Sequence, residues 1–431
     1  MTTGSSEEAD SSRARGFRSR GRKDNWHLSE TGSAPLEGIK VIELGHIMAG
    51  PVCGRMLADL GADVVKVERV PGGDPSRSFV PPAIDGEAAA FMMLNRGKRG
   101  IAIDLGRPEG IALVRRIIRT ADVVVENYRT GSLERRGLGY DSLRRDNPGL
   151  VWCEISGFGR TGPFASMGGF DLIAQGYSGL MSLTGEGPGR PPVKCGVPVT
   201  DITAGILGAM GVLAALLHRL LTGEGQRVDT SLFEAGITQT YWQSAIALAT
   251  GESPVAMGSA HPLSAPYQAF ATADGWINVG ASNQATWEKL PAIVERPELG
   301  DDARFADNAG RMAHREELVS LLEPVFKVRP TAEWLERFAA AGVPAGPVAD
   351  LNEMLEHPQT LAREMVTEVI HSKLGPVKTL GFPVKLSASP ARIERGAPLL
   401  GEHTREVLLA HGYTEAAVEE LRNAGVIICG V

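Results

Sequence analysis

Sulfur is scarce in this sequence. Its four cysteines, Cys53, Cys153, Cys195 and Cys429, are scattered over 431 residues with no CxxC spacing. That spacing excludes a disulfide framework and a structural zinc site, and it fits a reducing, cytoplasmic setting. Positive charge is also in deficit, with 44 Lys and Arg against 51 Asp and Glu and a net charge of −7. Such a balance argues against nucleic acid as the main partner, although it leaves room for a local basic pocket. No GxGxxG follows the first predicted strand and no Walker P-loop occurs. A nicotinamide or flavin dinucleotide site is therefore set aside. Nothing reads as a signal peptide. The longest apolar run, ITAGILGAMGVLAALLHRLL from Ile202, meets His218 and Arg219 before reaching the roughly 20 apolar residues of a membrane span, so no membrane partner is expected.

What remains has the make-up of a soluble globular chain, 43% apolar and 22% charged, and is long enough for two domains. Residues 1–34 stand apart. Rich in Ser, Gly, Arg and Glu, nearly free of aliphatic residues and without period, they read as a disordered tail. Glu7, Glu8 and Asp10 ahead of the Arg run speak against a transit peptide.

From Pro35 the pattern is regular. IKVIEL, ADVVKVER, IAIDL, DVVVEN and LVWCEISGFG read as strands, with VCGRMLADLG and PEGIALVRRIIRTA as helices between them. Alternation of this kind predicts an α/β fold, a Rossmann-like parallel-sheet large domain with helices on both faces. Its ligand would lie at the carboxyl ends of the strands, where GHIMAGP, ENYRTG and SGFGRTGP fall. The domain plan is a large domain over 35–230, a linker over 231–252, an inserted smaller α+β domain over 253–345, a return linker over 346–370, and a segment 371–431 completing the large domain. YQAFATADGWINVGA, around Asp274 and Gly275, reads as a strand pair in the small unit.

GVPVTDITAG places one carboxylate, Asp201, at the mouth of a long apolar helix. By local sequence it is an N-cap, because Asp accepts hydrogen bonds from the open N–H groups of a first turn. Gly205, Gly208 and Gly211 recur every third residue beyond it, which would let a neighbouring backbone approach closely.

Several long segments, in order from Pro35 to the C-terminal helix, resemble the class III CoA-transferases. They are LEGIKVIELGHIMAGP, GADVVKVER with GGDPSR, NRGKRGIAIDL, VENYRTGSLERRGLGYDSL, ISGFGRTGPFASMGGFDLIAQGYSGLM, GVPVTDITAG, TGEGQRVDTSLFEA and PLLGEHTREVL. The resemblance implies an enzyme that moves CoA from an acyl-CoA, with succinyl-CoA preferred as donor, to a small carboxylic or dicarboxylic acid. It makes Asp201 the covalent nucleophile, with an aspartyl anhydride and an aspartyl-CoA thioester as intermediates. It calls for no metal and for no cofactor beyond the CoA ester. It also implies an interlocked homodimer, two chains threaded through one another.

The same resemblance carries over a CoA site. His46, Ile47, Met48 and Ala49 match positions lining the nucleotide and pantetheine, Arg69 a basic residue near the phosphates, and Ile103 and Asp104 positions beside the adenine. Asn127, Tyr128 and Arg135 match the corresponding run after VVVE. Ile47, Met48 and Ile103 would serve equally as core, and Arg135 as a solvated charge. In the acyl pocket Asp171, Gly258 and His261 are candidates. Gly258 is the lone glycine of MGSAHP, where some relatives carry a glycine run. The related α-methylacyl-CoA racemases share the fold but need a His before the first acid, and this chain has Phe170 there. A non-catalytic CoA-binding protein is the other alternative, and it would be expected to lose Asp201 first.

Overall fold

A computed structural model describes residues 33–430. All but the end of the expected disordered tail lies outside the described residues. Strand β1 (Lys40–Glu43) runs into α1 (Ala49–Asp59), which returns to β2 (Asp63–Glu68). Part of GHIMAGP is helical, since Ala49, Gly50 and Pro51 open α1, where the missing N–H of Pro51 is no loss because first-turn donors have no intrahelical acceptor. β3 (Arg99–Ile103), α2 (Pro108–Ile118), β4 (Val123–Glu126) and β5 (Val151–Ser156) follow. After a short α3 (Asp171–Tyr177) comes the 24-residue α4 (Val199–Thr222), then β6 (Arg227–Ser231).

Residues 231–252, expected as a linker, carry two helices, Leu232–Thr238 and Tyr241–Thr250. β7 (Tyr267–Ala271), β8 (Trp276–Gly280) and β9 (Ala345–Pro347) form a separate antiparallel sheet in the order β9-β8-β7. Helices cover it around their own core of Phe270, Ile277, Trp287, Phe326, Trp334 and Phe338. Residues 346–370 hold the end of β9, two short helices and the start of a hairpin, β10 (Val366–His371) with β11 (Gly375–Leu380). The chain then returns to the main sheet, where β12 (Ile427–Ile428) pairs antiparallel with β3.

The main sheet has seven strands in the order β12-β3-β2-β1-β4-β5-β6, all parallel except β12. Side chains alternate across it. Val41, Val64, Val123, Val151 and Cys153 face α1 and α4, while Ile42, Val65, Ile101, Val124 and Trp152 face α2. Because both faces are covered, the strands read as almost unbroken apolar runs. The strand order reverses between β1 and β4, and a parallel sheet opens a crevice beyond its carboxyl edge at such a reversal.

The glycine series of α4 does what its spacing suggested at Gly205. A Cβ there would sit 2.6 Å from Cβ of Val52 and 2.7 Å from the carbonyl oxygen of Ala49, so α1 approaches α4 at backbone distance. By length and apolar composition α4 would reach across a membrane. Here it lies with Ala204, Gly205, Gly208, Ala209, Val212 and Ala215 buried against the sheet and α1, the packing of a core helix. Gly205→Ala is expected to destabilise the fold by about 1–3 kcal/mol through overpacking. A urea midpoint equal to that of the parent, at unchanged slope, would show that α1 yields freely.

Candidate active site

The crevice at the strand-order reversal is a cavity of about 130 Å³. His46 from the loop after β1, Arg69 and Asp74 from beyond β2, and Tyr128 from beyond β4 line it. Its walls are built from backbone-shaping contacts. Asn127 locks the first loop by two reciprocal bonds, its Nδ2 donating to the His46 carbonyl and its Oδ1 accepting from the His46 N–H, both at 2.9 Å. Ile47 adopts φ +65°, a left-handed conformation costly for a β-branched residue. The Asp74 carboxylate compensates by accepting the Ile47 N–H at 3.1 and 3.2 Å. The His46 ring meets Tyr128 edge-on at 5.3 Å, and burial, with Lys66 and Arg69 nearby, holds His46 below its ordinary value. Arg69 spends only Nε on the protein, donating to the Gly73 carbonyl at 3.0 Å. Its terminal nitrogens have no partner among the described residues, so two donors are free for an anion.

Beneath this cavity lies a chain of four buried charges. Lys98 contacts Glu43 at 2.7 Å, Glu43 contacts Lys66 at 3.0 Å, and Lys66 contacts Asp74 at 2.8 Å. Burial alone would drive Lys66 down and Asp74 up, but their opposite partners outweigh it and hold both ionised, Lys66 above and Asp74 below the ordinary value. Lys98 is more weakly compensated, and burial brings it down to about 8. The sequence reading passed over Glu43, Lys66, Asp74 and Lys98 as site residues. A signal was available, since Glu43 follows Val41 and Ile42 and Lys66 stands between Val65 and Val67, charges set directly against apolar strand residues.

On the far side of the β4 loop a second cluster forms. Arg160, from SGFGRTGP, pairs with Glu126 and lies 3.5 Å from Glu154. Burial pushes Glu126 up to about 7 despite that partner, and its second oxygen accepts the Tyr128 N–H at 2.7 Å.

Asp201 is not the cap of α4. Pro198 precedes the helix and Asp201 is its third residue. The cap comes from elsewhere: Asp171, at the start of α3, accepts the Thr200 N–H at 2.9 Å and the Thr200 hydroxyl at 2.7 Å. Gln175 fixes Asp171 by donating to its other oxygen at 2.7 Å and accepts the Cys195 N–H at 2.8 Å. No hydrogen bond or ion pair joins the Asp201 carboxylate to any other described residue. The expectation that Asp201 caps α4 is thus corrected. Burial, and then the charge of Asp171, push its carboxyl up to about 7. Asp201 lies one helical turn from Gly205, and Gly205 touches Ala49 beside the His46–Met48 loop. The acid therefore stands one turn from the point where α4 meets the start of α1, the helix that follows the cavity loop.

The other sequence candidates fall variously. Ile103 is fully buried core at the end of β3, and Ala49 is core at the start of α1. Asp104 accepts the Gly106 N–H at 2.8 Å, closing a turn beyond β3. Met48 immediately precedes α1 and accepts the Val52 N–H. Arg135 is exposed and lies over Gly131. Gly258 has φ +62°, and its N–H donates to the Gly185 carbonyl at 2.8 Å. The His261 ring sits between Trp242 and Tyr267, at 6.4 and 5.1 Å.

Fold and site together define an α/β protein with a crevice at the reversal of its parallel sheet, where Arg69 keeps open donors, and a buried carboxylate without a protein partner in the first turn of α4. The chain belongs to CoA-transferase family III, whose model matches residues 36–404, and it is a CoA-transferring enzyme. It is 42% identical to a succinate–glutarate CoA-transferase of Agrobacterium fabrum, over 87% of this chain and 95% of that protein. It is 36% identical to the succinyl-CoA:glutarate CoA-transferase of Homo sapiens, over 91% of this chain and 90% of that one. Among solved structures, a CaiB/BaiF family protein from Brucella suis aligns with a TM-score of 0.79 at 41% identity, over 88% of this chain and all of that one.

Lys66→Met leaves Glu43 and Asp74 buried without their shared cation, and a loss of about 3–5 kcal/mol is expected. Chemical denaturation at pH 7 reads it directly, and a loss below about 1 kcal/mol would show that water reaches the pair.

Proposed function

We propose that the enzyme moves CoA from succinyl-CoA to a small dicarboxylic acid, with Asp201 as covalent nucleophile. The observation that carries this reading is the Asp201 carboxylate: buried enough to be raised to about 7, yet committed to no protein partner. A carboxylate of that basicity is a better nucleophile than a solvated Asp and is still half ionised near neutral pH. It attacks the thioester carbonyl, the C–S bond breaks, and CoA thiolate leaves a mixed aspartyl anhydride. The thiolate then attacks the aspartyl carbonyl, releasing succinate and forming aspartyl-CoA. The acceptor carboxylate repeats the two steps in reverse, and Asp201 is restored.

In this reading CoA occupies the crevice of His46, Ile47 and Met48, with Arg69 on its phosphates and Asn127 and Tyr128 along its length. Ile103 and Asp104 serve from beneath the adenine end and Arg135 from the surface. Asp171 orients α4 and tunes Asp201, and Gly258 and His261 close the acyl side. The names of the relatives favour succinyl-CoA as donor and a five-carbon diacid as acceptor. Phe170, 71% exposed, cannot move a proton, which disfavours racemisation.

The reading includes a cytoplasmic homodimer with interlocked chains and an inserted small domain. Its support is the outer face of α4, where Ile206, Met210, Leu213, Leu217 and Leu220 are each 39–60% exposed at alternating spacings of four and three residues. Tyr241, Trp242 and Leu248 add to it. So large an apolar face marks an interface, and spacing of this kind suits packing against another helix. Light scattering should return twice the 45.8 kDa chain mass, and Leu217→Glu should lower it toward that of one chain. A folded monomer for the parent at micromolar concentration sinks the dimer.

Asp201→Asn should abolish transfer and the hydroxylamine-sensitive adduct formed on mixing with succinyl-CoA. In the parent, kcat/KM should fall about tenfold per unit below pH 6 and level off above pH 8, because only the ionised acid attacks. The stability effect has the opposite sign to that of a lost cap. An acid whose folded value is raised favours the fold at low pH, and that contribution disappears as pH rises through about 7. At pH 8 Asp201→Asn should therefore be as stable as the parent or more so. Retained transfer by the variant, checked by mass for deamidation, overturns the mechanism.

A further inference from the structure

We infer that Arg129 is the receptor for the distal carboxylate of the dicarboxylic substrate, an inference that rests on the transferase reading above. A diacid presents one carboxylate to the reacting centre, which Asp171 and Asp201 already make anionic, so its other end needs a cation nearby. Most cations around the site are committed. Lys66 serves Glu43 and Asp74, Arg77 serves Glu68, and Arg160 serves Glu126 and Glu154. The Arg129 guanidinium makes no hydrogen bond or ion pair with any described residue, so all five of its donors are open.

Its loop is pinned on both sides. Asn127 is locked to His46, the Tyr128 N–H to Glu126, and the Thr130 hydroxyl donates to the Ala165 carbonyl at 2.7 Å while accepting from Arg160 at 3.2 Å. The guanidinium rests on Gly168. Its Nη2, Cζ and Nε lie 3.4, 3.6 and 3.6 Å from the place a Cβ would take there, near-equal distances that turn its flat face to residue 168 and leave its edge outward. That loop packs at backbone distance on residue 157, where a Cβ would come within 2.6 Å of the Gly169 nitrogen. Three residues after Gly168 stands Asp171, bonded to Thr200 beside Asp201. Three residues span at most about 11 Å, so the glycine that carries the guanidinium and the acid that caps the nucleophile's helix belong to one short segment. Arg129 also follows Tyr128 directly, at the wall shared with the CoA crevice. Lys194, next to the Cys195 that Gln175 holds, has turned its ammonium to the carbonyls of Cys195 and Gly196 at 2.9 and 3.4 Å. A fork of open, coplanar donors suits a carboxylate better than an ammonium already engaged.

The test compares glutarate with pentanoate, the same chain lacking one carboxylate, as acceptors for the full-length enzyme with succinyl-CoA. The parent should prefer glutarate. Arg129→Ala should lower the glutarate-to-pentanoate ratio of kcat/KM on the order of 10- to 100-fold, the worth of a charge-assisted contact, chiefly through KM for glutarate. The kcat/KM for pentanoate, which does not include the succinyl-CoA half-reaction, and the Kd for free CoA should not move, and Arg129→Lys should restore part of the ratio. An unchanged ratio overturns the assignment, as do equal losses for both acceptors, loss of CoA affinity in place of selectivity, or a ratio that answers to Lys194→Ala and not to Arg129→Ala. Should the parent transfer CoA to no acid at all, the transferase reading falls by itself. Calorimetric titration of glutarate then decides for Arg129, and equal affinity in parent and Arg129→Ala overturns it.

Discussion

The buried sequence of charges Lys98, Glu43, Lys66 and Asp74 is the constraint on which the site depends. None of the four side chains has more than 1% of its surface in water, and an isolated ion so placed would cost several kcal/mol. They are tolerable only in alternation, each anion against a cation. That requirement ties together β1, β2, the turn after β2 and the entry to β3, the segments that must meet for the crevice to exist. Asp74 does two things at once. It neutralises Lys66, and it accepts the N–H of Ile47, holding the loop at the crevice in a backbone conformation it would otherwise leave. A catalytic cleft shaped by charge pairing is harder to deform than one shaped by apolar packing, because any displacement unpairs an ion.

The two aspartates at the head of α4 show how one helix start can serve two ends. An N-terminal carboxylate satisfies open N–H groups, and that satisfaction lowers its basicity. Here the tasks are divided: Asp171, from another helix, takes the capping bonds, and Asp201 is relieved of them. Burial and the neighbouring charge then raise Asp201 where capping would have lowered it. The same proximity that makes Asp171 a good cap makes it an electrostatic tuning group, so that structural and chemical roles are coupled through Thr200.

Packing around α4 is equally one-sided. Its inner face is mostly glycine and alanine, which allows α1 within backbone distance, and its outer face carries large aliphatic side chains left in solvent by the single chain. Between α4, α1 and β5 the structure brings together two cysteines that are a hundred residues apart in sequence, Cys53 and Cys153, both buried. Hydrogen bonding to Cys53 and burial hold the Cys153 thiol up, which makes it an inert core residue.

The alternation of strands and helices, the absence of dinucleotide and phosphate-loop glycines, and the long motifs of the family were all properties of short windows. For that reason the sequence alone determined the parallel α/β sheet, the loops at the carboxyl ends of its strands, and Asp201 and Arg69 as residues to watch. Periodicity reports which residues face a core, and motif order reports descent. Neither reports which charges meet. Glu43 and Lys66 stand 23 residues apart, and Asp171 and Thr200 stand 29 apart. Whether Asp201 caps its own helix depends on whether a distant acid reaches that helix first. Ile103, whose burial chain position alone could not fix, is enclosed because the sheet has both its faces covered. The tertiary structure decided these points because electrostatic free energy depends on distance and burial in space, and local sequence holds neither.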